Sequence, residues 1–405
     1  MKNFFKNVAT MMSGTLIGQL IIIITLPIIS RIYTPLQFGE YSNIVAIIGI
    51  LSVLTTLRYD TGIAVTKNKI DRNVLISFTF IINIIISIFI LMVLLILNLF
   101  YELLSIKLIF YIFTTIFLIG NVQILTNIAT SNGKFKKISL TKFTQSLSQV
   151  LLQLLGQIFY KQTFFLYLGY LIGKSNGVYI LYKSNSLKIQ NLKFSLKDFK
   201  KIMVKFKDYP MYGLPSSLLN SFSTNIIIIL VLYFFGGYYA GIYGLISRIM
   251  SGPLQLISKS FNSVLFKYTK DNSTNKVKKI YITTNIIIGS LFFIVIFIFC
   301  IIKINLFHII FGQEWSYANK VFLPLLIMMG FQFTIIPFIE LFTVYGKQRL
   351  RLLLDISRII LLLFIFISKF IYDFGFSTFI NLYSISMCVF YLFMHISILK
   401  LLKSQ

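Results

Sequence analysis

The amino-acid sequence predicts an all-α polytopic membrane protein: twelve transmembrane helices in two six-helix halves, with both termini cytoplasmic. Three observations carry that reading. The 405 residues are 57% hydrophobic and only 12% charged, too apolar for the surface of a soluble fold. Uncharged runs long enough to span a bilayer recur along the whole chain. Lys and Arg gather in alternate segments between those runs.

A helix needs about 20 apolar residues to cross about 30 Å of hydrocarbon. Span 1 is Asn7–Ser30, span 2 is Tyr41–Leu57, and Asn73–Tyr101 holds span 3. Leu108–Gly133 holds span 4, Phe143–Tyr160 is span 5, and span 6 is Gln162–Tyr182, interrupted by Lys174. The run Tyr209–Ser247 holds 39 uncharged residues, too many for one helix, and breaks at Phe235-Gly-Gly-Tyr-Tyr-Ala-Gly241. Span 7 is therefore 211–234 and span 8 is 240–266. Spans 9 to 12 are Ile280–Ile302, Val321–Tyr345, Leu352–Lys369 and Phe374–Ile398.

Of the 38 Lys and Arg, 30 fall in inside segments when the N-terminus is placed inside. Only Arg31, Lys107, Lys161, Lys303, Lys320 and Lys369 fall outside, and Lys174 and Arg248 lie within spans. A miscounted span would scramble this asymmetry, so it supports both the count and the direction. The basic start, Lys2 and Lys6, leads into a span too long for a signal-peptide core. The longest hydrophilic segment, 183–210, divides an N-terminal six-helix lobe, 1–182, from a C-terminal one, 211–405. Six is even, so the two halves enter from the same side and any repeat is parallel. Phe38-Gly-Glu-Tyr41 before span 2 is echoed by Ala240-Gly-Ile-Tyr243 before span 8.

The net charge of +27 is a topology signal here rather than a nucleic-acid footprint. The outer loops are too short for a catalytic domain. Cys300 and Cys388 lie in separate spans, and His308 and His395 fall on opposite sides, so no disulfide framework, metal cluster or catalytic constellation is suggested. The candidates are charges inside or at the edge of spans, which are costly in hydrocarbon and face a cavity or a partner. Arg248 and Lys174 lie near the membrane midplane. Arg31 closes span 1 on the outer side, against the bias that sorts the other cations. Arg58 and Asp60 close span 2 at the inner face and, at i and i+2, project differently. Glu340, near the inner end of span 10, suits either a coupling proton or an interfacial salt bridge. Asp355 and Arg358 are expected to pair on span 11, and Lys259 to snorkel inward. Pro27, Pro253 and Pro324 sit inside spans, and Gly14-x-x-x-Gly18 and Gly169-x-x-x-Gly173 permit close helix packing.

Four stretches carry a resemblance: Arg31-Ile-Tyr-Thr-Pro-Leu-Gln-Phe-Gly-Glu-Tyr41; Leu57-Arg-Tyr-Asp-Thr-Gly-Ile-Ala64; Ala240-Gly-Ile-Tyr243 with Ser247-Arg-Ile249 and Pro253; and Phe311-Gly312 with Glu314-Trp315 and Ala318. In order and spacing they resemble the polysaccharide-biosynthesis (O-antigen, Wzx-like) flippases of the multidrug/oligosaccharidyl-lipid/polysaccharide exporter superfamily, over nearly the whole chain. The resemblance implies two six-helix lobes around a central cavity that opens alternately to each side of the bacterial inner (cytoplasmic) membrane. It implies an undecaprenyl-diphosphate-linked oligosaccharide as substrate, and membrane lipids, a polysaccharide polymerase and a chain-length regulator as partners, with no nucleic acid. No cofactor is implied beyond a coupling ion, a proton or sodium. In that frame Arg248, Lys174, Arg31 and Arg58 are the substrate-binding candidates, and Asp60 and Glu340 the coupling candidates. A drug/cation antiporter of the same superfamily is the alternative, expected to carry an acid deep in its first lobe. A membrane glycosyltransferase or polymerase would need larger outer loops.

Overall fold

The structure is a computed structural model in which residues 2–66, 68–102, 104–156, 158–159, 163–185, 196–271, 273–301 and 305–403 are described. Among these, the side chains of 2–13, 185, 196, 255–268, 270–271, 343 and 348 fall outside the description. So do residues 186–195 of the expected linker, Lys161, Lys303 and the side chain of Lys259.

The described residues are helical throughout, with no strand. The helices are α1 (Lys2–Ile32), α2 (Pro35–Leu51), α3 (Tyr59–Val65), α4 (Lys69–Tyr101), α5 (Ile106–Ser131), α6 (Phe135–Leu155), α7 (Phe164–Asn185) and α8 (Leu196–Lys205). They continue as α9 (Leu214–Phe235), α10 (Gly237–Asp271), α11 (Thr274–Ile301), α12 (Leu306–Phe311), α13 (Ala318–Ile335), α14 (Leu341–Val344), α15 (Gln348–Tyr372) and α16 (Phe376–Leu401). Ten of the twelve expected spans fall each on one long helix. Among the described residues, seven of the helices are long and apolar enough to cross a membrane by length and composition. The other five spans are shorter or carry more polar residues.

Two spans depart from expectation. Span 2 stops being helical at Leu51 and passes through turns to Arg58. There Ser52 Oγ donates to Gly49 O at 3.1 Å and Thr55 Oγ1 to Ser52 O at 2.9 Å, hydroxyls competing with the helical ladder. Leu57 and Arg58 then take left-handed backbone, φ 46° and 64°. Span 10 ends as α-helix at Ile335, and a 3₁₀ turn, Ile336–Phe338, carries Pro337. Proline has no N–H to continue the ladder and disfavours helix in the residue before it. By contrast Pro27, Pro253 and Pro324 each lie inside a continuous helix. The break at Phe235-Gly-Gly is real: Gly236 alone separates α9 from α10, with φ 85°.

The chain divides into two compact units, Met1–Thr25 with Tyr41–Ile229, and Leu26–Glu40 with Leu230–Gln405. The outer end of α1 and the start of α2 thus belong with the C-terminal unit. In the first unit, α1 and α7 both lie on α6 through the glycine pairs. A Cβ on Gly14 would fall 2.2 Å from Ser139 O, and one on Gly169 would fall 2.7 Å from Gln149 O. Such contact distances leave room for hydrogen only, which explains the small residues at four-residue spacing. Helix α8 lies on α4 through Phe199 against Phe78, and Lys205 pairs with Asp71. In the second unit α13 packs against α16 and α11, and Phe234 and Phe235 of α9 pack edge-on against Phe370, Phe376 and Phe379. At the C-terminal end of α15, the hydrogen bond and charge of Lys369 hold the Asp373 carboxyl below the usual carboxylate range.

Candidate functional site

Three of the four stretches singled out in the sequence meet in the second unit. Gly39 of the first hairpin lies on the start of α10: a Cβ there would be 2.0 Å from Gly237 O and 2.7 Å from Gly241 N. The loop before α13 closes over the same place. Trp315 Nε1 donates to Ser30 O at 2.8 Å, Ser30 Oγ donates to Phe311 O at 3.1 Å, and Trp315 meets the Phe38 ring edge-on at 5.7 Å. The chain's single tryptophan is 1% exposed there.

Two candidate cations are fixed to this assembly. Arg31, on the exposed side, donates through Nη2 to Ile309 O at 3.1 Å. It holds the end of α1 to α12, so it anchors the hairpin. Arg248 is the twelfth residue of α10, about 17 Å from its N-terminal end at 1.5 Å per residue. Its guanidinium carbon lies 5.8 Å from the centre of the Phe38 ring, in cation–π range. The sequence placed Phe38 and Arg248 in separate motifs; the fold makes them one feature.

The other candidates divide differently. Lys174, in α7, lies in the first unit with its Nζ 5.0 Å from the centre of the Tyr170 ring. Tyr170 meets Tyr41 at 6.3 Å, and Tyr41 also meets Tyr167 at 5.8 Å. The Tyr41 hydroxyl accepts from Gln153 Nε2 at 3.4 Å. Sequence reasoning did not find this tyrosine and glutamine cluster, because each residue alone is unremarkable at a membrane interface. Arg58, also in the first unit, precedes α3 in its left-handed turn, and its Nε is buried with no hydrogen-bond partner among the described residues.

Asp60 is 3% exposed. Thr56 Oγ1 donates to its Oδ1 at 2.7 Å, and Asn127 Nδ2 to its Oδ2 at 2.9 Å. No ion pair joins it to Arg58. Glu340 is in an ion pair with Arg351 at 3.2 Å. The expected pairing of Asp355 with Arg358 is not made within 4 Å. Instead Arg358 turns inward and is 8% exposed, over the Phe390 ring. The reason is helical phase: i and i+3 allows a pair but does not impose one when the arginine's face of the helix is the buried face. Among the described residues no group of three or more His, Cys, Asp or Glu could hold a metal ion.

An all-helical chain of this length, with seven helices long and apolar enough to cross a membrane among the described residues, is a multi-pass membrane protein. The model of the polysaccharide biosynthesis protein family matches residues 28–320, and the chain belongs to that family. Solved structures share the fold. A transporter of the multidrug/oligosaccharidyl-lipid/polysaccharide exporter superfamily from Pyrococcus furiosus, described as having a binding pocket of reverse polarity, matches with TM-score 0.62 and 14% identity, over 98% of this chain and 96% of that one. An inward-facing multidrug resistance transporter of the MATE family matches with TM-score 0.62 and 15% identity, over 98% and 96%. A MATE transporter from Vibrio cholerae matches with TM-score 0.57 and 12% identity, over 99% and 97%. Among curated proteins, none matches the sequence.

Proposed function

We propose that this protein is a flippase that moves an undecaprenyl-diphosphate-linked oligosaccharide repeat unit, destined for O-antigen or a related surface polymer, from the cytoplasmic to the periplasmic leaflet by alternating access. One observation carries the reading. Each unit presents a cation at membrane depth on an aromatic ring, Arg248 on Phe38 and Lys174 on Tyr170. A diphosphate crossing the membrane needs such cations, and a glycan suits neighbouring tyrosines and glutamines, which offer both ring faces and hydrogen bonds. Family membership supports a substrate of polysaccharide biosynthesis. The lipid tail stays in the bilayer while one lobe rocks against the other. Arg31 and Arg58 are assigned as secondary contacts at the outer and inner ends. Asp60, buried and without a basic partner among the described residues, is the stronger coupling candidate for a proton or sodium; Glu340 is engaged by Arg351.

The fold is shared with multidrug transporters, which supports drug antiport as the second reading. Gene deletion separates the two. The flippase reading expects lipid-linked repeat units to accumulate on the cytoplasmic side and surface polysaccharide to be lost. Intact surface polymer with altered drug tolerance would establish antiport instead. Arg248→Ala should lower surface polymer at unchanged protein level, and Arg248→Lys should restore part of it. Wild-type polymer in Arg248→Ala would remove Arg248 from the site.

A further inference from the structure

Arg358 occupies the middle of α15, the eleventh of its 25 residues, and is 8% exposed. Arginine stays charged in proteins and carries five N–H donors. Yet its Nε is buried without a hydrogen-bond partner, and no carboxylate oxygen lies within 4 Å of it among the described residues. Asp355, one turn earlier, feels its charge without pairing with it. Hydroxyl groups lie around Arg358. Tyr243 of α10 and Tyr383 and Tyr391 of α16 lie within its field and are 7%, 4% and 3% exposed. The Phe390 ring centre is 5.9 Å from the guanidinium carbon. Beside Tyr383, the Ser384 hydroxyl is buried and likewise without a partner.

A buried charge is retained when it is paired. Here the chain supplies unused donors and one permanent positive charge, and no ion pair answers that charge among the described residues. We propose that the second unit binds, at Arg358, one small inorganic anion of chloride size, with Arg358 as counter-charge and Ser384 as hydroxyl donor. The burial of Arg358 and Ser384, 8% and 2% exposed, favours a small ion over a glycan-bearing diphosphate. The proposal does not rest on the transport reading.

The test uses the purified full-length chain in nanodiscs of zwitterionic lipid. Binding of ³⁶Cl⁻ is measured directly. Thermal unfolding is followed by fluorescence of Trp315, which reports on the same unit, as sodium chloride replaces sodium gluconate at constant sodium. One saturable chloride per chain is expected, with a midpoint that climbs and levels as chloride rises. Arg358→Gln should abolish both effects, and Ser384→Ala should weaken binding several-fold. Should Arg358→Gln fail to accumulate, Arg358→Lys together with Ser384→Ala decides, because wild-type affinity in both overturns the proposal. Absence of saturable chloride binding in the wild type overturns it at once. If inorganic pyrophosphate, and not chloride, raises the midpoint through Arg358, the site serves an anionic headgroup and the small-anion assignment falls, while the transport reading is untouched.

Discussion

Gly39 and Gly241, from two stretches that echo each other in sequence, are in direct backbone contact: a Cβ on Gly39 would lie 2.7 Å from the Gly241 nitrogen, and one on Gly241 would lie 1.8 Å from Pro35 O. The similarity of Phe38-Gly-Glu-Tyr41 and Ala240-Gly-Ile-Tyr243 thus has a packing cause, since each glycine is the hole into which the other helix start fits. Gly241→Ala should force the helices apart and cost about 1–3 kcal/mol, as overpacking does. Gly289→Ala, where a Cβ would meet nothing within 4 Å, should be neutral or slightly stabilising. Thermal midpoints of the two variants in the same detergent check the contrast, and equal midpoints would refute the packing account.

Trp315 closes the same assembly. Trp315→Phe keeps the ring contact with Phe38 but leaves the Ser30 carbonyl without its indole donor. The expected loss is about 1–3 kcal/mol, the cost of an unsatisfied buried group. Chemical denaturation of purified protein measures it; a change below about 0.5 kcal/mol would mean that the Ser30 oxygen finds another partner.

In the first unit the Asp60 carboxylate depends on two neutral donors. Asn127→Leu removes the one at 2.9 Å. A hydrogen bond to a charged group is worth about 1.5–3 kcal/mol, so this variant should be destabilised by that order, and Asp60→Asn by less. Reversed ranking of the two in unfolding assays would show that Asp60 does not rely on Asn127 for its charge.

Arg58 offers a separation of stability from function. Its left-handed backbone, φ 64°, costs a non-glycine residue about 1–2 kcal/mol. Arg58→Gly should therefore be more stable than Arg58→Ala by about 1 kcal/mol. If the guanidinium takes part in transport, both variants lose surface polymer equally despite that difference. Polymer levels that track stability would instead assign Arg58 to the turn alone.

Much of the fold was legible because each span is selected by its own transfer free energy, which sums over neighbouring residues. The Gly236 break could be read because glycine reports a backbone demand locally. The unwinding at Ser52–Arg58 was hidden, since an apolar run of the right length looks alike whether helical or turned. Pro337 was a visible signal for the break near the end of span 10, and it was outweighed by the hydropathy around it.

The candidate site was legible in its charges and obscure in its partners. Lys174 and Arg248 stand out in any hydropathy scan, whereas Arg358 hid behind a plausible pairing with Asp355. The sequence by itself determined the class of the molecule, the number of its long apolar spans and the cations that hydrocarbon must tolerate, because those follow from local composition against a fixed solvent. Only the tertiary structure decided that Arg248 rests on Phe38, that Arg31 is tied to Ile309, that Gly39 meets Gly241 and that Arg358 faces inward. Helices apolar on all sides carry little record of which face meets which neighbour; packing between residues far apart in the chain settles it.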